Sequence, residues 1–391
     1  MNSSTRSSSV PSSSVPSSSV PSSIEPPLHV LHLIGSSTNL FYSDLSKLYA
    51  AECLQAMAET RRYTFLIACV TPDGIWRFPR SLEPSDITAA QPMTIAPAIQ
   101  FLARQKIDVA IPQMFCFSGM TDYRALLRLL DIPYIGNAPF QMALTADKAK
   151  TKAIVAAAGV KVPKGELLSR GDSPSVLPPA IVKPNCADNS EGVSLVVNPA
   201  EYAEALATGF DYSEQVIVED FIGLGREVRC GIVVKGSELV CLPLEEYFVD
   251  KETQPIRTHA HKLKHTATGS HSNSLSFAAK DPTKSWIVSI DDPVTAGVWA
   301  AAKKCHQALG CEHYSLFDFR IDEAGQPWFI EAGLYCSFSP KSVLVTMMAA
   351  AGVSLVDFFE SALEQVTMTR QHQRTETSEK GVPYSSTVFS K

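Results

Sequence analysis

The sequence predicts a mixed α/β and α+β chain: a parallel α/β domain first, then a region of antiparallel strands closing in a hairpin. Three observations predict it. Between residues 29 and 136 short apolar runs alternate with helical segments, the pattern of a parallel sheet with crossover helices. From about residue 160 strand-like runs follow one another across short turns. Residues 314–321 and 327–332 are two alternating runs separated by Ala324-Gly325.

The elements follow in order. Residues 29–34 read as a buried strand ending at Gly35-Ser36-Ser37, 43–59 as a helix with apolar residues at helical spacing, and 63–70 as a second strand. A helix at 96–105, a strand at 107–112, a helix at 123–130 and a short strand at 133–136 complete the first domain. Ligands of such sheets sit beyond the strands' carboxyl ends, where residues 35–37, 113–121 and 136–137 fall. One helix runs from Thr145 to Ala158, with Gly159 as its stop. Strands at 180–183, 194–197, 215–219, 227–234 and 239–245 and a helix at 199–207 make the α+β part. Residues 250–285 form a long polar loop, and a helix at 293–309 leads into the hairpin. The expected division is 1–27 a disordered tail, 28–144 an α/β substrate domain, 145–235 and 236–367 two halves of a second unit, and 368–391 a polar tail.

With Ala324-Gly325 as a two-residue turn, cross-strand partners sum to 649. Phe317 then faces Ala332, Phe319 faces Ile330 and Ile321 faces Trp328, a continuous apolar face. The other face sets Asp318 against Glu331. Directly opposed Cβ atoms lie roughly 5 Å apart, where like charges destabilise. A hard cation such as Mg²⁺ would compensate; an edge hairpin whose acids are solvated, or answered by Arg320, would look the same in sequence.

The chain of 391 residues is 45% hydrophobic and 19% charged with net charge −6, so bulk electrostatics give no nucleic-acid partner. No apolar run approaches the roughly 20 residues that cross a membrane. Nine cysteines lack CxxC spacing, and Cys69, Cys230 and Cys241 lie in apolar strands, which points to reduced thiols and a cytoplasmic setting. Residues 7–21 repeat Ser-Ser-Ser-Val-Pro, a composition that buries too little to fold. It lacks a signal peptide's apolar core; a Ser-rich organelle transit peptide is an open alternative, with Arg6 as its only basic residue.

Lys183 ends a strand and is followed by a loop with Asn185, Asn189, Ser190 and Gly192. A lysine there can reach a phosphate, and the loop's N–H groups can surround it; an ordinary surface loop would read alike. The backbone of Glu219 to Ile222 could bond an adenine edge while Phe221 and Ile222 pack its faces, and Glu227 could hold ribose hydroxyls. Lys148, Lys183, Glu219, Glu227, Asp318 and Glu331 each fall at an element's edge.

Taken together, Thr145-Ala-Asp-Lys148, Ile181-Val-Lys-Pro184, Val218-Glu219, Gly225-Arg-Glu227, Asp318-Phe-Arg320, Phe329-Ile-Glu331-Ala332 and Ser342 resemble the ATP-grasp superfamily, and within it the D-alanine–D-alanine ligases, over residues 28–365. The resemblance implies an ATP-grasp fold with an N-terminal pre-ATP-grasp domain. It implies that Lys148, Lys183, Asn189 and Ser190 bind ATP phosphates, that Glu219, Phe221 and Ile222 hold adenine, and that Glu227 holds ribose. Asp318 and Glu331 would ligate Mg²⁺, and Lys183, Arg320 and Ser342 would serve the reaction, in which a phosphorylated carboxylate is attacked by an amine. The similar ligases imply a homodimer.

The chain departs from those ligases where the first substrate binds. Their Glu-x-Asn at the hairpin is Glu331-Ala-Gly333 here, their arginine two residues before the metal aspartate is Leu316, and their amine-gripping glutamate has no counterpart in 35–42. More aromatic surface replaces charge: Phe41, Tyr42, Phe115, Phe117, Tyr335 and Phe338. Segments 41–46, 112–116, 119–121, 313–318 and 331–338 look like the mycosporine–amine ligases, which join mycosporine-glycine to an amino acid such as serine or threonine. That resemblance implies a ring ketone activated as a phosphate and displaced by the amine, with Ser339, Lys341 and Ser342 at the amino acid's carboxylate. Competing expectations are a dipeptide ligase, a regulatory nucleotide-binding protein with a decayed site, and a zinc site of His259, His261, His265 and His271, whose spacing fits no zinc template. The loop carrying those histidines, with Lys262 and Lys264, is expected to close as a lid.

Overall fold

The computed structural model describes residues 27–187, 190–223, 225–250, 255–256, 264–266, 274–276 and 283–366. The terminal tails, Asn189, and the side chains of the expected histidine lid lie outside that set. So do the zinc-site expectation and the disorder expected of the tails.

The first sheet is ordered Trp76–Arg77, Tyr63–Val70, Leu28–Gly35, Val109–Pro112. The central strand is parallel to both long neighbours, as the alternation of strand and helix requires. The short strand expected at 133–136 reduces to a single parallel bridge, Ala110 to Tyr134. The first helix, Leu40–Met57, starts earlier than its apolar spacing suggests because the Asn39 side chain accepts from the Tyr42 N–H at 2.9 Å and caps it.

The single helix expected from Thr145 is two helices, Pro139–Ala146 and Lys148–Ala157. Asp147 is extended between them, and its carboxylate caps the second through the Lys150 N–H. Lys148 therefore stands at a helix N-terminus, where its own N–H donates to the Asn185 carbonyl at 3.2 Å.

A four-stranded antiparallel sheet follows, ordered Gly165–Ser169, Gln215–Asp220, Ala180–Pro184, Ser194–Val196. Gly165–Ser169 was not expected: its Glu-Leu-Leu core has no strand periodicity, and its pairing partner lies fifty residues away. The largest sheet runs Ser285–Ile287, Glu245–Tyr247, Arg226–Lys235, Tyr314–Ile321, Pro327–Gly333, with Glu238–Cys241 also on Arg226–Lys235. The strand expected at 239–245 is thus two, parted at Pro243, which cannot donate to a ladder. Phe317, Phe319 and Phe329 are fully buried beneath this sheet with Val298, Ala302 and Cys305 of the helix Thr295–Ala308. Each such phenylalanine contributes about 1.5–3 kcal/mol through burial.

Among the described residues no single helix is long and apolar enough to cross a membrane. All nine cysteines are free. Cys69 and Cys230 are buried as expected, whereas Cys241 is half-buried.

Candidate active site

The hairpin brings Asp318 opposite Glu331, as the sequence predicts, although the register between turn and acids is different. Asp322 pairs with Gln326 around a three-residue loop in which Gly325 has φ +79°, the left-handed position such loops place on glycine. The sum there is 648, giving Phe319 opposite Phe329 and Ile321 opposite Pro327. A bulge between Asp318 and Phe319 adds Ile330 to the second strand and restores 649 at the acids. Phe329 therefore enters the core, and Ile330 turns with Glu331 onto the site face.

A cleft of about 800 Å³, open to solvent, lies between the two antiparallel sheets. Its lining includes Lys148, Lys183, Ser190, Glu219, Phe221, Ile222, Glu227, Asp318, Arg320 and Glu331. Of the described residues expected to bind nucleotide or metal or to serve the reaction, only Ser342 is missing from it. Ile181 and Ile330 add apolar walls beside Phe221 and Ile222.

Lys183 and Glu219 lie diagonally across paired strands, Nζ to Oε1 at 2.8 Å. A residue that sequence reasoning passed over, Lys152, takes the other oxygen of Glu219. All three are buried. Burial alone would raise the Glu219 carboxyl, but the two ammoniums outweigh it and hold it below the usual range. One carboxylate serves two lysines. Lys183 is held above its ordinary value because Glu219 outweighs burial. Lys152 is pushed down to about 7 by burial, against the pull of Glu219 and with Lys183 repelling its charge. The proton lost near neutrality belongs to the triad as a unit. Lys152 stands one helical turn after Lys148, on the same face, the one signal that could have drawn attention to it.

This triad gives a pH prediction. A polyanion bound beside it favours the protonated form, so its binding takes up a proton when pH exceeds about 7. ATP affinity should fall as pH rises from 7 to 9. Calorimetry at pH 8 in buffers of different ionisation enthalpy should show uptake approaching one proton, which Lys152→Met removes.

Lys148 extends from its helix start to the Ala187 carbonyl, so it reaches the chain that follows Lys183. Glu227 lies 3.7 Å from Arg320. Arg320 also donates to the Pro255 carbonyl at 2.7 Å and stacks 4.7 Å over Phe221. Arg320 therefore does not answer the acid pair, the alternative to a metal that the hairpin left open; it lies at the Glu227–Phe221 end. Asp318 is answered by Arg229, an arginine on the neighbouring strand that donates to both carboxylate oxygens.

Ser342 lies outside the cleft as the N-cap of the helix Val343–Ala350, its hydroxyl buried without a partner. Ser339 and Lys341 both bind Glu52 of the first helix, the latter at 2.7 Å. This contact ties the 334–342 segment to the N-terminal unit, and it engages two side chains expected at a substrate carboxylate. Beside it, Tyr49, Phe115 and Tyr335 form an aromatic wall, with centroids 5.3 and 5.7 Å apart.

Among the described residues no cluster of three or more His, Cys, Asp or Glu side chains could hold a metal unaided. Asp318 and Glu331 supply two carboxylates, the number with which Mg²⁺ is commonly held when phosphates and waters complete its shell. The donor set thus fits a divalent cation that arrives with a nucleotide.

Residues 169–364, half of the chain, match the family model described as D-ala D-ala ligase C-terminus. A D-alanine–D-alanine ligase of Citrifermentans bemidjiense is 28% identical over 274 residues, covering 69% of this chain and 82% of that protein. One of Geobacter sulfurreducens is 28% identical over 281 residues, with coverages of 68% and 79%. Among solved structures, the D-alanine–D-alanine ligase of Coxiella burnetii superposes with TM-score 0.73 at 19% identity, covering 90% of this chain and 97% of that one. The VanG D-Ala:D-Ser ligase of Enterococcus faecalis gives 0.70 at 21%, with coverages of 87% and 99%. These likenesses establish the fold.

Proposed function

The chain belongs to the D-alanine–D-alanine ligase C-terminal family of ATP-grasp enzymes, and from that premise we propose the substrates and the residue roles. As a member it is an ATP-dependent ligase that forms C–N bonds between small molecules and uses a divalent metal. In the proposal, Lys148, Lys183 and Ser190 hold the phosphates, with Lys152 and Glu219 fixing Lys183. Phe221, Ile222, Ile181 and Ile330 sandwich the adenine, and Glu227 takes the ribose. Asp318 and Glu331 hold Mg²⁺, which when bound neutralises phosphate charge. The observation that carries this reading is the gathering of these dispersed residues in one cleft.

For the first substrate we propose a mycosporine-glycine-like ring, coupled to an amino acid such as serine or threonine. The γ-phosphoryl group moves to the ring's ketone oxygen and ADP leaves. The amine then attacks that ring carbon, the C–O bond breaks, phosphate departs, and loss of the amine's protons leaves an imine. The aromatic wall of Tyr49, Phe115 and Tyr335, and uncharged Leu316 and Gly333 beside the acids, support a ring over a small zwitterion. The relatives' names support the other reading, a D-alanine–D-alanine or other dipeptide ligase. The proposal includes a cytoplasmic setting and a homodimer.

The test is phosphate release from ATP and Mg²⁺ with mycosporine-glycine, with and without a panel of amino acids, and mass spectrometry of the product. Amine-dependent release with an imine product is expected. Turnover only with D-alanine or other amino-acid pairs would move the function to a peptide ligase, and none with any pair would favour a regulatory nucleotide-binding protein.

A further inference from the structure

Four adjacent strands set Glu245, Arg229, Asp318 and Glu331 directly opposite one another, in that order. The row holds three carboxylates and one guanidinium. Arg229 donates from Nε and Nη2 to the two oxygens of Asp318. Its plane lies 5.4 Å over Tyr247, whose hydroxyl donates to Glu245. The next position toward the N-terminal sheet on the three strands after Glu245 is uncharged: Gly231, Leu316 and Gly333. Arg229 is thus the guanidinium of this row, on the strand next to Asp318.

Both oxygens of the carboxylate assigned to the metal are thus engaged by an internal cation. We propose that Arg229 is a displaceable counter-ion. It neutralises Asp318 until the metal nucleotide arrives, yields carboxylate oxygen to the metal, and then receives the anionic oxygen of the first substrate on the uncharged Gly231–Leu316–Gly333 side. This rests on the ATP-grasp reading of the site. Without Arg229 three like charges would face one another across paired strands, which is destabilising. The fork shape of a guanidinium suits both a carboxylate and a phosphoryl or acid oxygen, as an ammonium does not.

Removing a positive charge beside a metal site strengthens attraction for the metal. Electron paramagnetic resonance of Mn²⁺ should therefore show about tenfold tighter binding to Arg229→Met than to the unmutated protein. In the same variant kcat should fall and KM should rise about tenfold for whichever first substrate, mycosporine-glycine or D-alanine, supports turnover. Arg229→Lys should leave Mn²⁺ affinity near that of the unmutated protein without restoring KM. Arg229→Gln, which keeps a donor to Asp318 without the charge, gives the same reading as Arg229→Met if that variant does not fold. Unchanged or weaker Mn²⁺ binding in the uncharged variants overturns the proposal. If Asp318→Asn leaves Mn²⁺ binding unaltered, the metal assignment itself fails, an outcome distinct from failure of the Arg229 exchange.

Discussion

Lys183→Ala is expected to lower turnover at least about 10²–10³-fold, the scale of removing one charge aimed at a developing anion in a water-poor site. Lys183 is 4% exposed and fixed by Glu219, so its ammonium is placed before nucleotide arrives. The fold should survive because Lys152 keeps Glu219 compensated. The expected stability cost is about 1–3 kcal/mol, below the 3–5 kcal/mol of a stranded buried charge. With its competitor gone, Lys152 holds its proton to higher pH, so proton uptake on ATP binding should vanish in this variant too. Phosphate release and denaturant melts check both halves, and turnover within tenfold of the unmutated protein would remove Lys183 from the phosphate site.

Residues whose chemistry is written at the end of an element were legible in the sequence. Lys183, Glu219 and Glu227 close or open strands, and Asp318 opposite Glu331 follows from alternation on two strands joined by a short turn. The acid pair came out right although the turn was read one residue short. The three-residue loop shifts the register by one, the bulge at Ile330 shifts it back, and both depend on local backbone geometry that periodicity does not encode.

Lys152 and Arg229 were missed for another reason. Each lies in the interior of a regular element, where a charged residue usually faces water. Their burial depends on which element packs against them: the Gln215–Asp220 strand for Lys152, the Tyr314–Ile321 strand for Arg229. Sheet order is a tertiary fact. It sets Arg226–Lys235 beside Tyr314–Ile321 across some eighty residues of chain. The same order assigns Arg320 to Glu227 and gives Asp318 to Arg229, a pairing that the hairpin alone does not show.

Asp318→Asn should weaken the Mg²⁺-dependent binding of ATP, shifting the half-saturating metal concentration upward by at least about tenfold. An amide keeps one acceptor for Arg229 but no charge, so folding should weaken by about 1–3 kcal/mol. A calorimetric Mg²⁺ titration at fixed ATP reads the first effect, and an unchanged curve would remove Asp318 from the metal site. Arg229→Met should move metal affinity the opposite way. The double variant then decides between exchange and general loosening of the sheet. If Arg229 acts by occupying Asp318, its removal should change metal affinity much less once Asp318 is an amide, leaving only the Coulomb effect of the lost charge, and the two effects will be strongly non-additive. If Arg229 merely braces the strands, the Arg229→Met effect should persist at full size in the Asp318→Asn background.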